Sequence, residues 1–440
     1  MKKFTRSKQL YFALASLLLA SLACSQVSGS STEQPAEATS VAVASAESTE
    51  PPAPTQTPMP ALGEVILDEQ FADNANNWYV GTDADTISVV EGGKFKISVL
   101  NLDTSFTFDP PVSVSEADIT VDTEFTEGAP ENSGYGVTCH DKDVDNRYRV
   151  RISPDGTYAI NKTVNAESTD IVPWTNTAAI NRGAGAFNRM RIICSENRII
   201  LYVNDILISN VVDTDLSSGS FSLLVAAYKV NENDSTPPSV SFSNLTVRKP
   251  LAWERPTETL LADAFDNNDN GWDVFDENGN SANIESGQLV IKVKEKDSSY
   301  RIWPQLALTN VDITFDAAIQ EGTLGNISYG AACRISDKSN YSFKIDGDGY
   351  YSLGKIIDGK WETLVDWTAS SAVKPGTGEI NRIRVICSDS TLELYANDQL
   401  LISSQDSSLT GSGFALQTGL GTADELPVSV SFDNVEVKYP

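Results

Sequence analysis

"RMRIICSENRIILYVND" occupies Arg189–Asp205, and "RIRVICSDSTLELYAND" occupies Arg382–Asp398. In the first stretch Met190, Ile192 and Cys194 fall on one alternating phase; in the second Ile383, Val385 and Cys387 do the same. A side-chain period of two is that of a β-strand with one face against a core. The Asn-Asp pair that ends each stretch is hairpin chemistry, because both residues tolerate positive φ at a tight turn. "LYVNDILIS" therefore reads as strand, turn, strand.

The likeness extends in both directions at a spacing of about 194 residues. "ILDEQFADNANNWYV" from Ile66 returns as "LLADAFDNNDNGWDV" from Leu260, which places Phe71 with Phe265 and Trp78 with Trp272. "SVSFSNLTV" from Ser239 returns as "SVSFDNVEV" from Ser429 and closes each copy. So long a period excludes a solenoid and describes tandem domains. The expected bounds are 63–249 for the first domain and 258–440 for the second. Residues 250–257 form a short, Pro-flanked connection that should leave limited reorientation.

Each copy is dominated by β signals. "KFKISV" alternates around Phe95, Ile97 and Val99, and "YRVRISPDGTYAINK" alternates about a Pro-Asp-Gly turn. No helical periodicity runs for a dozen residues beyond the amino-terminal segment. Many short strands with frequent turns in about 185 residues predict an all-β chain: two tandem antiparallel jelly-roll β-sandwiches. Cys139 shares phase with Tyr135 and Val137, and Cys333 with Tyr329 and Ala331, so all four of these cysteines face a core. In an exported chain they are expected to pair as Cys139–Cys194 and Cys333–Cys387, with buried free thiols as the competing reading. Each bridge would close a loop of roughly 55 residues, worth about 4 kcal/mol by chain entropy.

"NYSFKIDGDGYYSLGKIIDGKWETLVDWTASSAVKPGTGEINRIRVICSDSTLELYANDQLL", from Asn340, resembles the concanavalin A-like jelly rolls of bacterial surface proteins. Laminin-G-like domains and the 3-keto-disaccharide hydrolase-like family are the nearest relatives in pattern. The resemblance covers the second copy throughout; the first is more diverged, with "INRGAGAFNRMRII" for "VKPGTGEINRIRVI". It implies a two-sheet sandwich with a concave face that often binds glycans, and sometimes a calcium ion on the rim. The superfamily holds lectins, glycosidases and adhesion modules, so fold alone does not select among them.

The amino terminus describes a compartment. "MKKFTRSK" leads into the apolar run Leu10–Ala23, which has the length of a signal-peptide core and is short for a membrane span. It ends in "ASLAC", which resembles a lipoprotein cleavage site with Cys24 as the lipidated residue, although Ser21 stands where leucine is usual. Plain secretion is the alternative. Residues 1–23 are thus expected to be a signal peptide. Residues 24–62, rich in Ser, Thr, Ala, Glu and Pro, are expected to be a disordered tether. The protein would then be extracytoplasmic, anchored by lipid to a membrane at the bacterial surface. The net charge of −28 argues against nucleic-acid partners. Oligomeric state is not legible.

For catalysis the signals are poor. A retaining glucanase needs two or three carboxylates on one strand face. "DTEFTE" places Asp122, Glu124 and Glu127 at the wrong spacing, and the second copy keeps Asp316 and Glu321 but has Ala318 in place of Glu124. These read as solvated strand carboxylates, and no catalytic residue is assigned. The sole histidine, His140, has no histidine counterpart in copy two. Asp266–Glu277 matches the form of an EF-hand loop but lacks flanking helices, and its copy-one equivalent breaks the pattern. Two Asp-rich clusters, Asp141 with Asp143 and Asp145, and Asp266 with Asp269, are the candidate calcium ligands, against a reading as solvated turns. Trp174 and Trp367 occupy equivalent positions and are candidate stacking platforms for sugar rings, against a reading as buried sheet anchors. Trp303 and Trp361 occur in copy two alone. The expected function is a non-catalytic surface protein that binds glycan or a surface polymer. A glycoside hydrolase of the 3-keto-disaccharide type and a structural or protein-binding component are the alternatives.

Overall fold

The computed structural model describes residues 59–229, 236–336, 338–421 and 427–440. The leader, Cys24 and most of the tether lie outside the described residues. The described chain forms two β-sandwiches of matching topology, each with its own core.

In the first sandwich one sheet runs in the order Gly81–Thr82, Thr86–Glu91, Lys94–Val99, Ser239–Arg248, Ala117–Glu127, Phe187–Ser195, Arg198–Val203, Ile206–Val212, with Val65–Glu69 paired to Ser239–Arg248. The facing six-stranded sheet runs Glu167–Asn176, Thr157–Val164, Asn146–Ile152, Ser133–Asp143, Ser220–Ala227, Thr104–Phe108. The second sandwich repeats this. Its six-stranded sheet runs Lys360–Ala369, Tyr350–Ile357, Ser339–Asp346, Ile327–Ser336, Gly413–Leu420, Ser298–Ile302. Its larger sheet is centred on Val428–Lys438, Val311–Glu321 and Asn381–Ser388.

The twice-written stretch now reads residue by residue. Met190, Ile192 and Cys194 point into the first core, and Ile383, Val385 and Cys387 into the second. Cys139 bridges Cys194 across the two sheets, with 6.3 Å between Cα atoms; Cys333 bridges Cys387 at 6.6 Å. The alternate positions face away from the core and hold ion pairs to the neighbouring strand. Arg189 grips Asp122 at 2.7 Å and Arg191 grips Asp118, while Arg382 and Arg384 take Asp316 and Asp312. Asp122 is therefore not a solvated carboxylate as its spacing suggested. It is buried beneath a bidentate guanidinium, and the Asn244 amide also donates to it. At the hairpin Asn204 and Asp205 both adopt positive φ, and the Asn204 amide donates to the Ala179 carbonyl and to Asn188.

The repeated Phe and Trp near the start of each copy form a second shared device. Trp78 is buried and donates its indole N–H to Glu69 at 2.9 Å; Trp272 donates to Asp263 at 2.7 Å. A buried indole needs such an acceptor. The Asn-rich segment between them is a backbone turn: the Asn74 and Asn268 side chains donate to the Trp78 and Trp272 carbonyls, each at 3.0 Å.

The two sandwiches are joined by more than the connection. Ala307–Leu308 adds in parallel to Ser209–Asn210 at the edge of the first large sheet. Gln305 accepts the Ala178 N–H at 2.5 Å through its side chain, and its carbonyl accepts the Tyr158 hydroxyl at 3.2 Å. Arg198 lies 3.7 Å over the Trp253 ring, and Ile193, Ile200, Tyr202 and Leu207 of copy one pack into the apolar cluster of copy two. The short connection thus leads into an interface rather than a free hinge.

Candidate functional site

The outer face of each six-stranded sheet is the surface on which the copies differ most. In copy one Tyr148, Val150 and Ile152 enter the core, so the alternate Arg147, Arg149 and Arg151 face outward. Register aligns Thr107, Leu224, Gly136, Arg151 and Ala159 in one row across the sheet. A bulge between the partners of Ile160 and Tyr158 sets Trp174 at the row's end. Arg151 is enclosed there: its guanidinium lies 5.2 Å from the Trp174 ring and 5.7 Å from Tyr228, and it donates to the Tyr228 hydroxyl and to Asn161. Trp174 packs edge-on against Tyr228 and is half-buried.

In copy two the same row reads Arg301, Gln417, Gly330, Lys344, Ser352, with Trp367 at the matching bulge. Gly421 stands where copy one has Tyr228 and brings no ring over the row, and Trp367 is 48% exposed. Trp361 is 47% exposed and lies across Gly354, where a Cβ would come within 2.1 Å of the ring. Only glycine leaves that seat. The Lys344 ammonium sits 4.6 Å from the Trp361 centroid. Burial, reinforced by the charge of Arg301, brings Lys344 down to about 8, and burial also lowers Arg301. Gln417 forms the floor and is fully engaged: its amide donates to Ala331 O at 3.1 Å, Phe343 O at 2.9 Å and Ser342 Oγ at 2.8 Å, and it accepts from Ser342.

Copy one instead carries a groove of about 720 Å³ beside its row, lined among others by Thr107, Asp109, Asp141, Asp143, Arg147 and Ser222. Burial pushes the Asp141 carboxyl up, against the charge of Arg147. The Ser222 hydroxyl donates to Asp109 at 2.7 Å. Copy two has Trp303 and Ile335 where the first has Asp109 and Asp141.

The predicted metal residues take these places. Asp143 accepts the Asp145 N–H at 2.9 Å and the Asn146 amide at 3.0 Å, which is turn bonding, and Arg147 stands 3.4 Å from Asp141. Asp266 and Asp269 are exposed in the turn before Trp272. Among the described residues no three acidic, His or Cys side chains group to hold a metal ion. His140 is buried, and its Nδ1 meets the Leu216 carbonyl at 2.7 Å. Sequence reasoning noted Trp361 but assigned it no role, and it passed over Lys344 and Arg301. The signal for Lys344 was its alternation with Phe343 and Ile345, two strands before the one that holds two tryptophans.

These sheets define the class: tandem antiparallel jelly-roll β-sandwiches. Residues 71–248, the first copy, match the family described as the 3-keto-alpha-glucoside-1,2-lyase-like domain. Among solved structures, a carbohydrate-binding module from Bacillus subtilis is 16% identical over 38% of this chain and 95% of its own, with a TM-score of 0.30. The catalytic domain of an endo-1,3-beta-glucanase (laminarinase) from Thermotoga petrophila is 11% identical over 42% and 98%, with a TM-score of 0.33. A Bacillus licheniformis beta-glucanase is 11% identical over 42% and 100%, also at 0.33. No curated protein matches the chain in sequence.

Proposed function

We propose that the protein is a glycan-binding component of the bacterial surface, held by lipid at Cys24 and reaching outward on the tether of residues 24–62. Its principal site is the outer face of the second six-stranded sheet. The observation that carries this reading is the uncovered pair Trp361 and Trp367 on a strand whose copy-one equivalent is covered by Arg151 and Tyr228. Six residues of strand span about 20 Å, less the shortening of the bulges, so the two rings can stack on separate sugars of one polymer. Lone exposed tryptophans are costly to hold in water, whereas a flat indole suits the apolar face of a pyranose. Screening the full chain against neutral and charged polysaccharides tests it. W361A and W367A should each weaken binding, and together about tenfold or more, at about 0.5–1.5 kcal/mol per ring contact. Binding unchanged in the double variant would remove the platform. For the anchor, C24S should move the protein from the membrane fraction to the soluble one; retention there would refute it.

A second reading attaches to copy one. The groove with Asp109 and Asp141 lies in the copy that matches the lyase-like family, and a carboxyl raised by burial suits proton transfer. Product released from a glycoside and lost in D141N would favour it.

A further inference from the structure

Lys344 and Arg301 are two cations on one row of a sheet, separated by the positions of Gln417 and Gly330. Burial and the other cation lower Lys344, burial lowers Arg301, and among the described residues no carboxylate shifts either group. The Arg301 Nε is buried and finds no acceptor, and the buried Ser352 hydroxyl next along the row finds no partner. On the outer faces of the larger sheets the cations are paired: Arg189 has Asp122, Arg191 has Asp118, Arg382 has Asp316 and Arg384 has Asp312. Copy one shows the paired alternative at this very row, where Arg151 reaches Asn161, and Asn161 donates to Asp170. With 60 acidic residues against 32 basic ones, two cations with no carboxylate partner among the described residues are not so for want of acids in the chain.

Between them Gly330 presents no side chain, since a Cβ would meet the Phe343 carbonyl oxygen at 2.2 Å. Gln417, saturated by its own hydrogen bonds, does not compete for a ligand's oxygen atoms. The result is a trough with donors at both sides, a tryptophan wall at Trp361 and, among the described residues, no carboxylate on the row. A guanidinium and an ammonium placed in this way match a carboxylate or sulfate, and the indole matches the ring that carries it.

Resting on the glycan-binding reading above, we propose that this face is specific for an anionic glycan, with Arg301 and Lys344 holding the acidic group of a sugar stacked on Trp361. The chain's overall negative charge repels polyanions at a distance, so such binding belongs to this local pair and not to a general basic surface.

The test measures binding of the full chain, near physiological salt, to polygalacturonate, to dextran sulfate and to neutral dextran. The expected result is tighter binding to the carboxylated or the sulfated polymer than to the neutral one, and the two charged arms identify which group is taken. R301Q and K344Q should each weaken binding to that polymer by about tenfold, a larger loss than either shows with neutral dextran, and melt no lower than the parent. If charged and neutral polymers bind alike and both variants retain parental affinity, the anionic assignment is wrong while the tryptophan platform stands. Polyanion binding that survives R301Q/K344Q would place the contact elsewhere and overturn it equally. If no polymer binds, both readings fall.

Discussion

Lys344 is a charge that the fold tolerates rather than uses. Its position on Ser339–Asp346 lies between Gly330 and Ser352 of the neighbouring strands, with Arg301 and Trp361 farther along the sheet, and the nearest acid on its own strand, Asp346, spends its carboxylate on the Asp348 and Tyr350 N–H groups. Its folded value of about 8 lies below the ordinary lysine value, so the unfolded chain binds more protons between about pH 8 and 10.4. Stability from this group therefore rises with pH through that window, and below it the burial penalty is present in full. K344Q should accordingly melt higher than the parent at pH 7, with the gain fading as pH climbs past 10. A parental melting curve at pH 7 would mean that the ammonium is solvated. Little of this was legible in the sequence. Alternation gave the side on which Lys344 lies, but its isolation depends on Arg301, 43 positions earlier, and on Gly421 in place of a tyrosine.

At the scale of strands and hairpins the sequence was most informative. The phase of Cys194 and Cys387 predicted both inter-sheet disulfides, because strand periodicity fixes the face and each core holds just two cysteines among the described residues. The Asn-Asp hairpins and the paired buried tryptophans followed from equally local chemistry. Lys360–Ala369 was opaque for a physical reason. Two register shifts, between the partners of Tyr351, Leu353 and Gly354, break its alternation, so counting by twos does not place Trp361 and Trp367. Nor does any local signal distinguish a covered from an uncovered indole, since Trp174 owes its cover to Tyr228, 54 residues away. The strand carboxylates misled in the same way: Asp122 reads as exposed until Arg189 is paired opposite it in the sheet.

Across the whole molecule, duplication was plain but docking was not. The contact through Ala307–Leu308 is a two-residue parallel pairing with no periodic signature, and Trp253, which packs on Tyr439, lies in the connection and has no counterpart in copy one. Because copy-one residues belong to the copy-two apolar cluster, the two sandwiches should unfold in one calorimetric transition. L308D, which places a carboxylate where a buried leucine packs, should split that transition in two. Two transitions in the parent would show the interface to be weak. A docked pair also fixes the tryptophan strand of one copy relative to the groove of the other, so a polymer would meet a set geometry rather than two swinging modules.

The platform itself is tested most directly by titrating the tightest-binding polysaccharide into labelled protein and following the indole N–H signals of its seven tryptophans. The signals of Trp361 and Trp367 should move together with saturation, while those of the buried Trp78 and Trp272 stay fixed. Saturating binding that leaves both Trp361 and Trp367 unmoved would contradict the account.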